Sequence, residues 1–138
     1  MAAGVRDLKV WQEAVALAGE ILRIVRQGAR RETKSATDAL AATAIAVATD
    51  IADGYGRYTI GEQRQLYRAA KRDLLRLETQ LAVLRHAELV SAAAHTELLK
   101  RLHSVARLLA GYLVYLERQR ASEIEDAAST SPASAKAV

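Results

Sequence analysis

Six cations, Arg57, Arg64, Arg68, Lys71, Arg72 and Arg76, fall within one short stretch whose only acids are Glu62 and Asp73. Guanidinium and ammonium groups at that density suit a polyanion, because each neutralised phosphate releases condensed counterions. Arg64, Arg68, Arg72 and Arg76 follow four-residue steps and, on a helix, drift only slowly around one face. Residues 64 to 76 would span about 18 Å, roughly five or six phosphate spacings along one strand. Tyr58 and Tyr67 add candidate stacking surfaces for bases. The six cations are therefore the candidate nucleic-acid-binding residues, RNA or DNA. The competing reading is a solvated helix face balanced by neighbouring acids.

The same region opens with "DGYGRYTIGE", residues 53 to 62, where two glycines stand one residue apart. A dinucleotide fingerprint needs a third glycine where Thr59 stands, and a preceding strand where the residues look helical. As a P-loop, "GRYTIGE" puts Glu62 in the lysine position and Gln63 in that of the metal-bound hydroxyl, so the phosphates would be repelled. Punctuation between two helices fits better. Thr59 and Glu62 form a capping box at a helix start, and Gly54 or Gly56 is expected to take the left-handed geometry that ends the helix before it.

Other chemistry is missing from the sequence. There is no cysteine, which removes thiol nucleophiles, disulfides and cysteine-ligated zinc. Val83, Ala92 and Lys100 stand three residues before His86, His95 and His103, so no Glu-x-x-His metal motif exists, and no two histidines are four apart. No G-x-S-x-G elbow is present. The expectation is a protein that is not an enzyme, with no catalytic residues, metal, cofactor or small-molecule substrate.

The elements that must position the cations are helical. The chain has 138 residues, 51% of them hydrophobic, with one proline and no phenylalanine, a composition that favours helices over strands. In the first helix Leu8, Trp11, Val15, Ala18, Leu22 and Val25 form a seam at three- and four-residue steps, with Val10, Ala14, Leu17, Ile21 and Ile24 as a neighbouring stripe. Asp7 is expected to cap it and Gly28 to end it. After the basic connection "ARRETKS", the second helix should run from Ser35 to Asp53, with Ser35 and Asp38 at its start. Its middle, "ALAATAIAVAT", carries no charge, and a helix without a wet face points to cover by another subunit. That run is well short of the ~20 residues a membrane span needs, and the opening residues lack a signal-peptide core, so a cytoplasmic protein is expected.

A third helix from about Thr59 to His86 has its seam at Leu66, Ala70, Leu74, Leu77, Leu81 and Leu84. A fourth from about Ser91 to Arg120 repeats it at Leu98, Leu102, Val105, Leu109, Tyr112 and Leu116. The fold class is thus all-α, an up-down-up-down four-helix bundle over residues 1–120. Residues 121–138 lose the periodicity and are expected to form a disordered tail. They carry three acids and one lysine, so the formal +4 of the chain leaves +6 on residues 1–120.

Three ordered motifs then carry a resemblance: "DLKVWQEAVALAGEI" at 7–21, "AVATDIADGYGR" at 46–57 and "RLETQL" at 76–81. Together they resemble the bacterial four-helix-bundle proteins encoded in intervening sequences of 23S ribosomal RNA genes, over about residues 5–118. The resemblance implies a left-handed bundle assembling as a ring-shaped homo-oligomer, typically a pentamer, in the cytoplasm. It extends distantly to the accessory variability proteins of diversity-generating retroelements, which bind a reverse transcriptase and its RNA. Ile51, Ala52, Gly54, Gly56, Arg57 and Glu78 match hallmark positions, mostly structural in expectation. Asp50 stands where the pattern has Asn and Asp53 where it has Glu. Arg76 replaces a Glu and Arg72 a small residue, so the third helix is more basic than the pattern. Arginines usual before the second-helix core are absent from "LAATA", residues 40–44. The function expected is a non-enzymatic homo-oligomer that binds RNA or DNA backbone. The alternative is a protein-interaction scaffold with no nucleic-acid role.

Overall fold

The computed structural model describes residues 4–28 and 30–129. Four α-helices carry the fold: α1 (Lys9–Gln27), α2 (Lys34–Tyr55), α3 (Ile60–His86) and α4 (Ala92–Ser129), with single 3-10 turns at Val5–Asp7 and Arg31–Thr33. Among the described residues there is no strand. The α2–α3 seam is the most extensive, and α1–α2, α3–α4 and α1–α4 seams complete the contacts between helices. Ile24, Val25, Thr33, Thr37, Leu84 and Val90 meet around one small cavity, so the α1–α2 and α3–α4 connections share one end of the molecule.

Each helix contributes an apolar stripe to one core. Leu17 and Ile21 of α1, Leu40, Val47 and Ile51 of α2, Leu77 and Leu81 of α3, and Leu98, Val105 and Leu109 of α4 are essentially closed to solvent. In α1 the two stripes are unequally buried. Val10, Ala14, Leu17 and Ile21 face the core together with Ala18 of the expected seam, whereas Val15 and Leu22 of that seam are exposed. Both stripes are apolar, so periodicity could not rank them.

Local signals fix the helix ends, with corrections. Leu8, not Asp7, is the residue before α1; Asp7 lies in the 3-10 turn, where its carboxylate accepts from Gly4 N at 3.3 Å. Gly28 ends α1, its N–H donating to Ile24 O at 3.3 Å. α2 starts at Lys34, which pairs with Asp38 at 2.6 Å, and runs two residues past Asp53. Ser91 starts α4, its hydroxyl accepting from Ala94 N at 3.1 Å. The turn before it holds the one described residue with positive φ, Glu88 at 63°.

α4 also departs from its expected end at Arg120, continuing in helical form to Ser129. Alanine and glutamate keep the backbone helical there even though the apolar spacing has stopped. All of residues 121–129 are exposed. Residues 130–138 of the expected tail lie outside the described residues. Contacts of Arg64 with Glu117 and of Glu78 with His103 show that α3 and α4 run in opposite directions. The same register sets the start of α3 level with Ala121, so the last eight residues of α4 project roughly 12 Å beyond it.

Candidate nucleic-acid interface

The α2–α3 junction is built by close packing. Gly54 is buried inside α2, and a Cβ there would lie 3.0 Å from Tyr67 Cε1. No described glycine has positive φ, so the expected left-handed stop at Gly54 or Gly56 is not what these residues do. Gly56 closes α2 at φ −81°, its N–H donating to Ala52 O at 3.2 Å. Ile51 is fully buried one turn earlier. Of the expected capping box the Thr59 half is present: Thr59 Oγ1 accepts from Glu62 N at 3.2 Å. Gln63 Nε2 donates to Arg57 O at 2.9 Å and fastens the turn onto α3. Arg57 and Tyr58 remain exposed on that turn, Tyr58 completely.

Tyr67 is not a stacking surface. It is wholly buried, its ring edge-on to Tyr112 with centroids 5.0 Å apart, and burial pushes its hydroxyl pKa upward. The requirement was written in Gly54, whose missing side chain leaves the space for the ring.

The arginine stripe divides into two groups. Four-residue steps turn about 40° each around a 3.6-residue helix, enough to carry Arg64 and Arg76 about 120° apart. Arg64 lies against α4, its side chain only 13% exposed, and bonds Glu117 Oε1 at 2.5 Å. Arg68 reaches the same carboxylate oxygen at 3.4 Å. Lys71, Arg72 and Arg76 are exposed, and Lys71 and Arg72 border a groove of about 440 Å³ between α3 and α4. Glu78 sits at that groove too, with Oε1 2.8 Å from His103 Nε2. The exposed cations of the expected site outside the Glu117 pairing are therefore Arg57, Lys71, Arg72 and Arg76, with Tyr58 beside the first; Arg68 is exposed as well but leans toward Glu117.

On the α2 side of α3, Asp50 shares a side-chain hydrogen bond with Asp73. Burial, this bond, and the charges of Asp73 and Asp53 raise the Asp50 pKa to about 7, against an opposing pull from Arg72. Asp50 therefore keeps its proton beside Asp73 up to about pH 7.

A second basic cluster was not singled out by sequence reasoning. Arg26, Arg30, Arg31 and Lys34 border a groove of about 430 Å³ at the α1–α2 end, floored in part by Leu22, Val25 and Ala41. Its signal is present in the basic connection "ARRETKS" and in Arg26 in the last turn of α1, but linear spacing does not show that the turn folds them together. Among the described residues no group of three or more His, Asp or Glu side chains is placed to hold a metal ion, and no helix is long and apolar enough to cross a membrane.

No curated protein matches the chain. The model of one family, described as 23S rRNA-intervening sequence protein, matches residues 6–111, well over half the chain and nearly the range of 5–118 over which the resemblance runs. With that match and four helices in place, the chain belongs to the 23S rRNA-intervening sequence protein family.

Proposed function

We propose that this protein is a non-catalytic, self-associating helical protein of the cytoplasm that binds the phosphate backbone of RNA. The observation that carries this reading is the open cationic surface made by Arg57 on the α2–α3 turn and Lys71, Arg72 and Arg76 on α3. The family's description is in keeping with a ribosomal-RNA-associated role. Self-association rests on the outward face of α1 and α2, where Val15, Leu22 and Ile45 stay exposed around a groove of about 460 Å³ lined also by Trp11 and Ala48. Isolated apolar side chains are ordinary on a surface, but a contiguous lined face calls for cover. In its finer form the reading is a left-handed, up-down-up-down bundle closing into a ring, a pentamer by family resemblance. A ring would repeat the cationic surface around one axis and turn weak single sites into avid binding.

A filter-binding titration of single-stranded RNA against salt tests the RNA half. Six backbone contacts would give a log–log slope near −4, but with Arg64 and Arg68 committed to Glu117 four remain, and the slope expected is about −3. Absence of binding at low salt rejects it. The second reading, a protein-interaction scaffold with no nucleic-acid role, is favoured by the same apolar α1–α2 face, and it gains if a protein partner co-purifies free of nucleic acid.

A further inference from the structure

The end of α4 and the basic groove at the opposite end of the molecule are complementary. Residues 122–129 of α4 extend beyond the start of α3 with every residue exposed. Ile124, 60% exposed, stands there between Glu123 and Glu125, with Ala121 and Ala128 on the same side of the helix. An apolar side chain standing in water on a helix gains by being covered, because helices in proteins are held mainly by tertiary packing. The groove between α1 and α2 offers the matching chemistry: Leu22, Val25 and Ala41 on its floor, Arg26, Arg30 and Arg31 around it. Its one acid, Asp38, is held by Lys34 at 2.6 Å.

We propose that the acidic overhang of α4 from one copy of the chain seats in the basic α1–α2 groove of a second copy, Ile124 against the apolar floor and Glu123 and Glu125 toward the arginines. The occupant cannot be the same copy's own overhang. The α1–α2 connection lies at the end of the molecule where α4 begins, and Ile124 is about 48 Å along the helix from Ala92. Because the two surfaces differ, the contact is heterologous and adds copies head to tail, closing only if the rotation per copy allows. The inference deepens the self-association part of the proposed function and rests on that part alone.

The absence of cysteine from the full sequence makes the test direct. Ala41→Cys and Ile124→Cys single variants of the full chain are mixed at micromolar concentration and oxidised with copper–phenanthroline. Seated side chains experience an effective concentration on the order of millimolar, so the mixed disulfide should form on the order of a hundredfold faster than for an Ala82→Cys and Ile124→Cys control pair, Ala82 being exposed on α3 away from both faces. Glu123→Lys with Glu125→Lys in the Ile124→Cys chain should cut the yield by about tenfold, and Arg30→Glu with Arg31→Glu in the Ala41→Cys chain should restore it. Multi-angle light scattering on the same samples separates the failures. An oligomer without the 41–124 disulfide overturns this contact and leaves self-association standing, whereas a monomer overturns both. If single-stranded RNA shields Ala41→Cys from alkylation while no 41–124 disulfide forms, the groove is a polyanion site and the inference is wrong.

Discussion

A side chain at Gly54 would stand 3.0 Å from Cε1 of Tyr67, a ring that is entirely buried between α2, α3 and α4. The glycine is needed for proximity, not for an unusual backbone angle. Gly54→Ala should therefore destabilise despite alanine's better helix propensity. Overpacking costs ~1–3 kcal/mol and the propensity gain offsets about 1 kcal/mol, leaving a net loss of about 1 kcal/mol. Urea melts check the sign. Combined with Tyr67→Leu, the alanine should turn neutral or favourable, so a double-mutant cycle that showed simple additivity would contradict the packing account.

The Asp50–Asp73 pair makes stability pH-dependent. Asp50 titrates near 7 in the folded chain, well above its ordinary value of 3.8. The folded state thus holds more protons than the unfolded state between those values, so the contribution is complete below about pH 4 and fades as pH rises through about 7. The melting temperature should fall over that interval. Asp50→Asn keeps a hydrogen-bond donor toward Asp73 without a proton to lose, and should flatten the fall. It also restores the residue type expected from the family pattern.

Arg64 and Arg76 stand in one stripe with different work. Arg64→Ala should lower stability by about 1–2 kcal/mol through lost packing and the lost Glu117 pair, and leave the RNA salt slope unchanged. Arg76→Ala should leave the melting temperature in place and reduce the magnitude of that slope by about 0.7 for single-stranded RNA. Thermal melts and salt titrations on the two variants distinguish the roles.

On the α1–α2 face, Ile45 is 48% exposed and lines the apolar groove. Ile45→Glu should lower the mass measured by light scattering while the helical circular dichroism is preserved, because the charge meets water in the single chain and an apolar neighbour in the assembly. An unchanged mass would exclude this face as the contact.

Much of the fold could be read from the chain because apolar residues recur with the helical period in every segment, and because Thr59, Gly28 and Ser91 stand where caps are needed. What escaped has physical causes. Two adjacent apolar stripes in α1 carry the same periodic signal, so only the packed neighbours reveal that Leu17 is inside and Leu22 outside. The arginine steps looked collinear in a list of positions, yet the 40° turn per step is enough to lay Arg64 on α4 and leave Arg76 in water. Residues 121–129 lost their apolar spacing without losing helix propensity, and the two signals answer different questions. The cluster of Arg26, Arg30, Arg31 and Lys34 draws on a helix end, a turn and the next helix, so its compactness is a property of the connection's shape.

Trp11, the chain's single tryptophan, is partly buried and lines the α1–α2 groove beside Val15 and Ala48. Its indole is thereby a built-in optical reporter. Burial by an incoming neighbour would shift its emission to the blue, and dilution would reverse the shift, so an assembly constant can be measured on unlabelled protein.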